Sequence, residues 1–179
     1  MGIGFVFPGQ GAQEMGMLDD VRATEPILDE LLEEASGIVG FDLGEVIRHG
    51  PVERLNQTSV TQSALLAVSV ALFEIWNAHR GPAPSILAGH SLGEYSAFTA
   101  AGTLQFNDAV KLVHERGKLM ESAVPDGHGA MAAILGLADE QVSSICDAID
   151  GVVSPANMNA PGQVVISGDN IAVHLCMKN

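Results

Sequence analysis

The stretch from Ser85 to Ala101 sets the strongest constraint on this chain. Ser85 to Ala88 is a short apolar strand pattern. Gly89-His90-Ser91-Leu92-Gly93 fits G-x-S-x-G, and Leu92 to Ala101 reads as a helix. A serine in a tight strand-to-helix turn has its hydroxyl pushed out above a parallel sheet, and small flanking residues let the strained turn form. The N–H after such a serine can hold an oxyanion at the helix N-terminus. Ser91 is therefore a candidate nucleophile and the Leu92 N–H a candidate oxyanion donor. The competing reading is a plain β-α turn whose glycines serve packing.

The rest of the chain is consistent with such a turn. Ile3 to Phe7 is a second apolar run, closed by Pro8-Gly9, and reads as a buried parallel strand. Ile27, Leu28, Leu31, Leu32 and Ala35 form one face of an amphipathic helix that Gly37 and Gly40 punctuate. Thr61 to His79 predicts a long, well-buried helix stopped by Gly81-Pro82, and Asn107 an N-cap for another helix to Glu121. Alternating strands and helices imply an α/β fold with a parallel sheet. The pattern then changes to β-α-β-β-α: Ala130 to Leu135, Asp139 to Ile149, a strand from Val152-Val153, Val164 to Ser167, and a last helix with Asp169 as its cap. That is one strand short of a split β-α-β-β-α-β unit, so the chain reads as truncated. The boundary is expected near residue 124, giving segments 1–124 and 125–179.

Among the remaining candidates, Gly9-Gln10-Gly11 follows the first strand and offers the Gln10 N–H as a second oxyanion donor. It fails the dinucleotide template G-x-G-x-x-G, because Glu14 stands where the third glycine belongs. Arg116 lies on the apolar stripe Ala109, Leu112, Val113, Met120. Spacing alone fits a structural ion pair or a snorkelling side chain better than an anchor for an anionic substrate. None of His49, His79, His90, His114, His128 and His174 is identified by spacing as the base a serine nucleophile needs. Cys146 and Cys176 lack metal-ligand spacing and read as two buried thiols of a cytosolic protein. The 8 Lys+Arg against 22 Asp+Glu give a net charge of −14, which argues against nucleic acid or an anionic membrane surface as partner. The N-terminal apolar run is too short for a signal peptide, and no run of about 18 apolar residues suggests a membrane span.

Together these stretches resemble malonyl-CoA:acyl-carrier-protein transacylases, the malonyltransferases of bacterial fatty-acid synthesis. The resemblance is carried by Phe7-Pro8-Gly9-Gln10-Gly11-Ala12-Gln13, Thr61-Gln62-Ser63-Ala64, Gly89 to Ser96, Glu115-Arg116-Gly117, Gly129 to Ile134, and Ala156-Asn157 with Asn159 to Gly168. It implies an α/β-hydrolase-like parallel-sheet core with an inserted ferredoxin-like small subdomain, the C-terminal part missing. By resemblance Ser91 carries the malonyl ester, the N–H groups of Gln10 and Leu92 form the oxyanion hole, and Arg116 pairs with the malonyl carboxylate. The last of these reverses the spacing-only reading. Leu92 after the serine also looks like malonyl-selecting relatives.

The implied reaction is ping-pong transfer from malonyl-CoA to the phosphopantetheine thiol of acyl carrier protein. It needs no metal or bound cofactor and takes place in the cytoplasm. Typical relatives run on well past Asn179, and that part carries the base histidine and a Gln or Asn that orients it. The resemblance is expected to weaken beyond Gly168. This chain alone is therefore expected to be weak or inactive. A serine hydrolase (esterase or thioesterase) on the same core, or a non-catalytic remnant with open sheet edges, are the alternatives.

Overall fold

The computed structural model describes residues 2–125 and 127–178, and it sets the two glycine-bounded apolar runs side by side. In chain order the first part holds β1 (Gly4–Phe7), α1 (Asp19–Arg22), α2 (Pro26–Val39), α3 (Leu43–His49), α4 (Val52–Leu55), α5 (Thr58–Ala78), β2 (Ile86–Gly89), α6 (Leu92–Ala100) and α7 (Phe106–Ser122). The second holds β3 (Gly129–Leu135), α8 (Asp139–Ala148), β4 (Val153–Ala160), β5 (Gln163–Asp169) and α9 (Asn170–Cys176). The chain divides into two units between Glu121 and Ser122.

In the first unit β1 and β2 pair in parallel, from Gly4 opposite Ile86 to Phe7 opposite Gly89. Helix α5 is the centre of the core. Every residue from Ser59 to Ala71 is buried, which matches a helix apolar around most of its surface. Its length and hydropathy would suffice to cross a membrane, but 78% of that window is buried inside the protein, as for a core helix. Helix α2 starts with Pro26 in its first turn and stops at Gly40, whose φ of 85° suits glycine. Its buried residues Leu28, Leu32 and Ala35 pack on α5. Leu92, Val110 and Val113 bring α6 and α7 into the same cluster.

The second unit is an antiparallel sheet in the order β3-β5-β4, with α8 and α9 packed against its strands. Val142, Cys146, Val164, Ile166, Val173 and Cys176 form its core. This is the β-α-β-β-α order expected from the sequence.

Three expectations need correction, and three short helices are added. Strand β1 pairs in parallel as expected, but one of its faces is open, and Val6 is 81% exposed. Asn107 does not cap α7; the helix begins at Phe106 and holds Asn107 in its first turn. Asp169 occupies the N-cap of α9, yet its carboxylate accepts from the Val152 N–H instead of capping the helix. Helices α1, α3 and α4 carry no sequence signal; each is at most seven residues long, too short to show a helical period.

Truncating Leu66 at the centre of α5 leaves a cavity in a fully buried site. Leu66→Ala is expected to lower unfolding free energy by about 2–5 kcal/mol in urea denaturation. Val6→Ala, on the open face of β1, is expected to stay within about 0.5 kcal/mol.

Candidate active site

Ser91 sits between β2 and α6 with φ 54° and ψ −111°, a conformation that a residue with a side chain rarely adopts. Two glycines make room for it. A Cβ on Gly93 would stand 2.1 Å from the Phe7 carbonyl oxygen, and one on Gly89 would stand 2.0 Å from the Gly93 carbonyl carbon. The start of α6 therefore lies directly on the end of β1, and the chain turns sharply enough to leave Ser91 exposed. Leu92 is the first residue of α6, so its N–H is one of the donors the helix cannot satisfy internally.

The loop after β1 passes beside this turn. A Cβ on Gly9 would come within 3.0 Å of the His90 carbonyl oxygen. Side chains brace the loop: Gln13 Oε1 accepts from the Gly11 N–H at 2.8 Å, and Gln13 Nε2 donates to Asn56 Oδ1 at 2.8 Å. Gln10 Nε2 reaches Thr58 Oγ1 at 3.4 Å, and among the described residues no hydrogen bond occupies the Gln10 backbone N–H.

Arg116 reaches the serine from α7. Its Nη2 donates to Ser91 Oγ at 3.0 Å, and its Nη1 donates to Gln62 Oε1 at 2.8 Å. Its guanidinium carbon stands 5.6 Å from the centre of the Tyr95 ring, within range of a cation–π contact. Among the described residues no carboxylate forms an ion pair with Arg116. The structural ion pair that spacing suggested is thus not formed. The guanidinium is held by neutral groups, so its charge faces the serine uncompensated. A planar donor fork of this kind matches a carboxylate.

The approach of α7 to α5 rests on Gly117. A Cβ there would lie 2.3 Å from the Ser59 Cα, so the helices touch backbone to backbone one residue past Arg116. Glu121 reinforces the contact, its carboxylate accepting from the Ser59 N–H at 2.9 Å and from the Ser59 hydroxyl.

The histidines lie elsewhere. His114 is buried with Nδ1 3.3 Å from the Ser59 carbonyl oxygen and 3.4 Å from Ser63 Oγ. His79 pairs with Glu25, His49 with Glu45, and His174 with the Asn170 carbonyl. His90 and His128 are exposed. Among the described residues no histidine is hydrogen-bonded to Ser91, and no cluster of three or more His, Cys, Asp or Glu side chains could hold a metal ion.

Gln62 is the residue to which sequence reasoning gave no role. It is fully buried, and its Nε2 donates to Met120 Sδ at 3.2 Å while its Oε1 holds Arg116. The signal was present in the sequence: a primary amide inside a long apolar helix needs partners for both ends.

The acyl transferase domain family matches residues 4–178. The chain belongs to this family. The match to the acyl transferases runs through α9. A malonyl CoA-acyl carrier protein transacylase of Escherichia coli O157:H7 is 56% identical over 171 residues, which cover 94% of this chain and 55% of that protein. The solved malonyl CoA-acyl carrier protein transacylase of Coxiella burnetii superposes with a TM-score of 0.95 at 49% identity, over 99% of this chain and 57% of that one. A malonyl-transacylase solved in complex with a type II polyketide-synthase acyl-carrier protein gives 0.95 at 47% identity, over 99% and 58%. This acyl transferase chain thus spans about half the length of the relatives it matches.

The close approach at Gly93 can be tested against a glycine in open space. Gly93→Ala is expected to cost about 1–3 kcal/mol of stability by forcing backbone apart. Gly37→Ala, in α2 with nothing within 4 Å of the added Cβ, is expected to gain up to about 1 kcal/mol. Urea unfolding of the two variants reads both.

Proposed function

We propose that this chain carries the acyl-loading site of a malonyl-CoA:acyl-carrier-protein transacylase. The observation that carries the reading is the Arg116 guanidinium, 3.0 Å from Ser91 Oγ and without a countercharge among the described residues. A hydrolase of neutral esters has no use for that charge beside its nucleophile. Malonyl-CoA supplies a carboxylate at one end and a thioester at the other, so Arg116 would hold the first while Ser91 meets the second.

In this reading Ser91 Oγ attacks the thioester carbonyl carbon. The oxygen that becomes negative is held by the N–H groups of Gln10 and Leu92, where it gains the stabilisation of fixed donors. Collapse breaks the C–S bond, CoA leaves as its thiol, and malonate remains esterified to Ser91. The phosphopantetheine thiol of acyl carrier protein then attacks the ester and regenerates the serine. Gln62 and Tyr95 hold the guanidinium in place through both steps. The described residues place no histidine to receive the Oγ proton, so with these residues alone it passes to solvent and loading is slow. Binding and an oxyanion hole alone retain only residual catalysis. The domain reading follows: residues 1–124 as the N-terminal part of a hydrolase-like core, 125–179 as an incomplete ferredoxin-like subdomain, in a cytoplasmic enzyme.

Intact-mass spectrometry after incubation with malonyl-CoA tests this. A malonyl adduct is expected on the chain and none on Ser91→Ala. Loss of charge-assisted hydrogen bonds of about 1.5–3 kcal/mol predicts that Arg116→Ala slows malonyl loading by roughly 10- to 100-fold. Acetyl loading, with no carboxylate to bind, should change far less. Gln62→Leu is expected to slow malonyl loading by a smaller factor, because it frees the guanidinium without removing it. Equal malonyl loading in wild type and Arg116→Ala would return the site to the serine-hydrolase reading.

A further inference from the structure

We propose that Cys146 and Cys176 form a dithiol that a neutral peroxide converts to an intrachain disulfide while the chain stays folded. The two residues come from neighbouring helices, α8 and α9, that pack on the same sheet. Their sulfurs lie 4.0 Å apart, with Cys176 Sγ donating to Cys146 Sγ. Both side chains are buried, at 3% and 5% exposure, so each thiol's nearest reactive partner is the other. A disulfide needs the sulfurs about 2 Å closer than they stand. Cys176 is the last residue of a seven-residue helix and is followed by the exposed Met177 and Lys178.

A small cavity beside the thiols provides the remaining room. It has a volume of about 90 Å³ and is lined by Ile134, Val142, Ile145, Met177 and the two cysteines. Among the described residues no charged side chain lines it, so it suits a small uncharged oxidant and disfavours a bulky, ionised one such as oxidised glutathione. Burial, together with the hydrogen bond from Cys176, pushes the Cys146 thiol up to about 11. The thiolate is therefore scarce at neutral pH and the reaction is slow.

The chemistry closes without a further reactant. One thiolate attacks hydrogen peroxide, forming a sulfenic acid and releasing hydroxide, which takes up the thiol proton as water. The second thiol attacks the sulfenic sulfur, the S–S bond forms, and a second water leaves. Two thiols and one peroxide give one disulfide and two waters. The product ties α8 to α9 across 30 residues of chain and so restricts the unfolded state of the second unit. This inference does not depend on the malonyl reading of Ser91.

The test uses the whole folded chain, treated with hydrogen peroxide in mildly alkaline buffer, then quenched and alkylated with N-ethylmaleimide in denaturant. The expected product is about 2 Da lighter, takes up no maleimide, and yields on proteolysis one peptide pair joining Cys146 to Cys176. Dithiothreitol should reverse it, and the oxidised form should melt at a higher temperature than the reduced one. Cys176→Ala cannot close the bond and should instead add oxygen at Cys146 or take one maleimide. Two maleimides on treated wild type, disulfide-linked dimers, or a crosslink that forms only in unfolding concentrations of urea would each overturn the proposal.

Discussion

The contact between Gly93 and the carbonyl of Phe7 is the constraint on which the rest of the first unit turns. It presses the first turn of α6 onto the end of β1, leaving no space for a side chain at either Gly89 or Gly93. The turn between β2 and α6 must then be sharp, and the residue at its apex is forced to positive φ. Strain at Ser91 follows from close packing two residues on either side of it. The same packing exposes the hydroxyl and leaves the Leu92 N–H pointing out of the helix start.

Charge is handled around the site in an unusual way for so acidic a chain. With a net charge of −14, carboxylates outnumber cations, and Arg22, Arg48, Lys111 and Lys118, half of the eight arginines and lysines, pair with one. Arg116 instead meets an amide oxygen, a hydroxyl and an aromatic face. Neutral acceptors fix the direction of the guanidinium without cancelling its charge. A carboxylate in the position of Gln62 would have held the side chain equally well and removed its attraction for an anionic ligand.

The sequence made some of this legible and hid the rest for identifiable reasons. The elbow was readable because glycine spacing and the strand-to-helix switch both report local backbone geometry. The order of the second unit was readable because its apolar runs alternate and its turns carry Pro-Gly or Gly. The partner of Arg116 was not, since spacing on α7 says nothing of which side chains α5 presents across the gap. Gln62 was passed over for the same reason: its role depends on a contact 54 residues away. The open face of β1 was misread because an apolar run signals a strand but not what covers each side. Asp169 was misread because a short polar side chain at a cap position had a second donor, Val152, within reach.

The pairing of β1 with β2 also has a consequence for how the molecule assembles. The strands are joined across 82 residues, whereas α2, α3, α4 and α5 pack among near neighbours in the chain. Closing so long a loop is entropically slow, and contacts between distant segments form after local ones. The helical cluster around α5 can therefore condense first, with Gln62 already buried in it. The serine turn, which exists only when β1 lies under α6, is completed in the last stage of folding. Reactivity at Ser91 would then report the fully native first unit, and helix content measured in the same refolding experiment would rise before it.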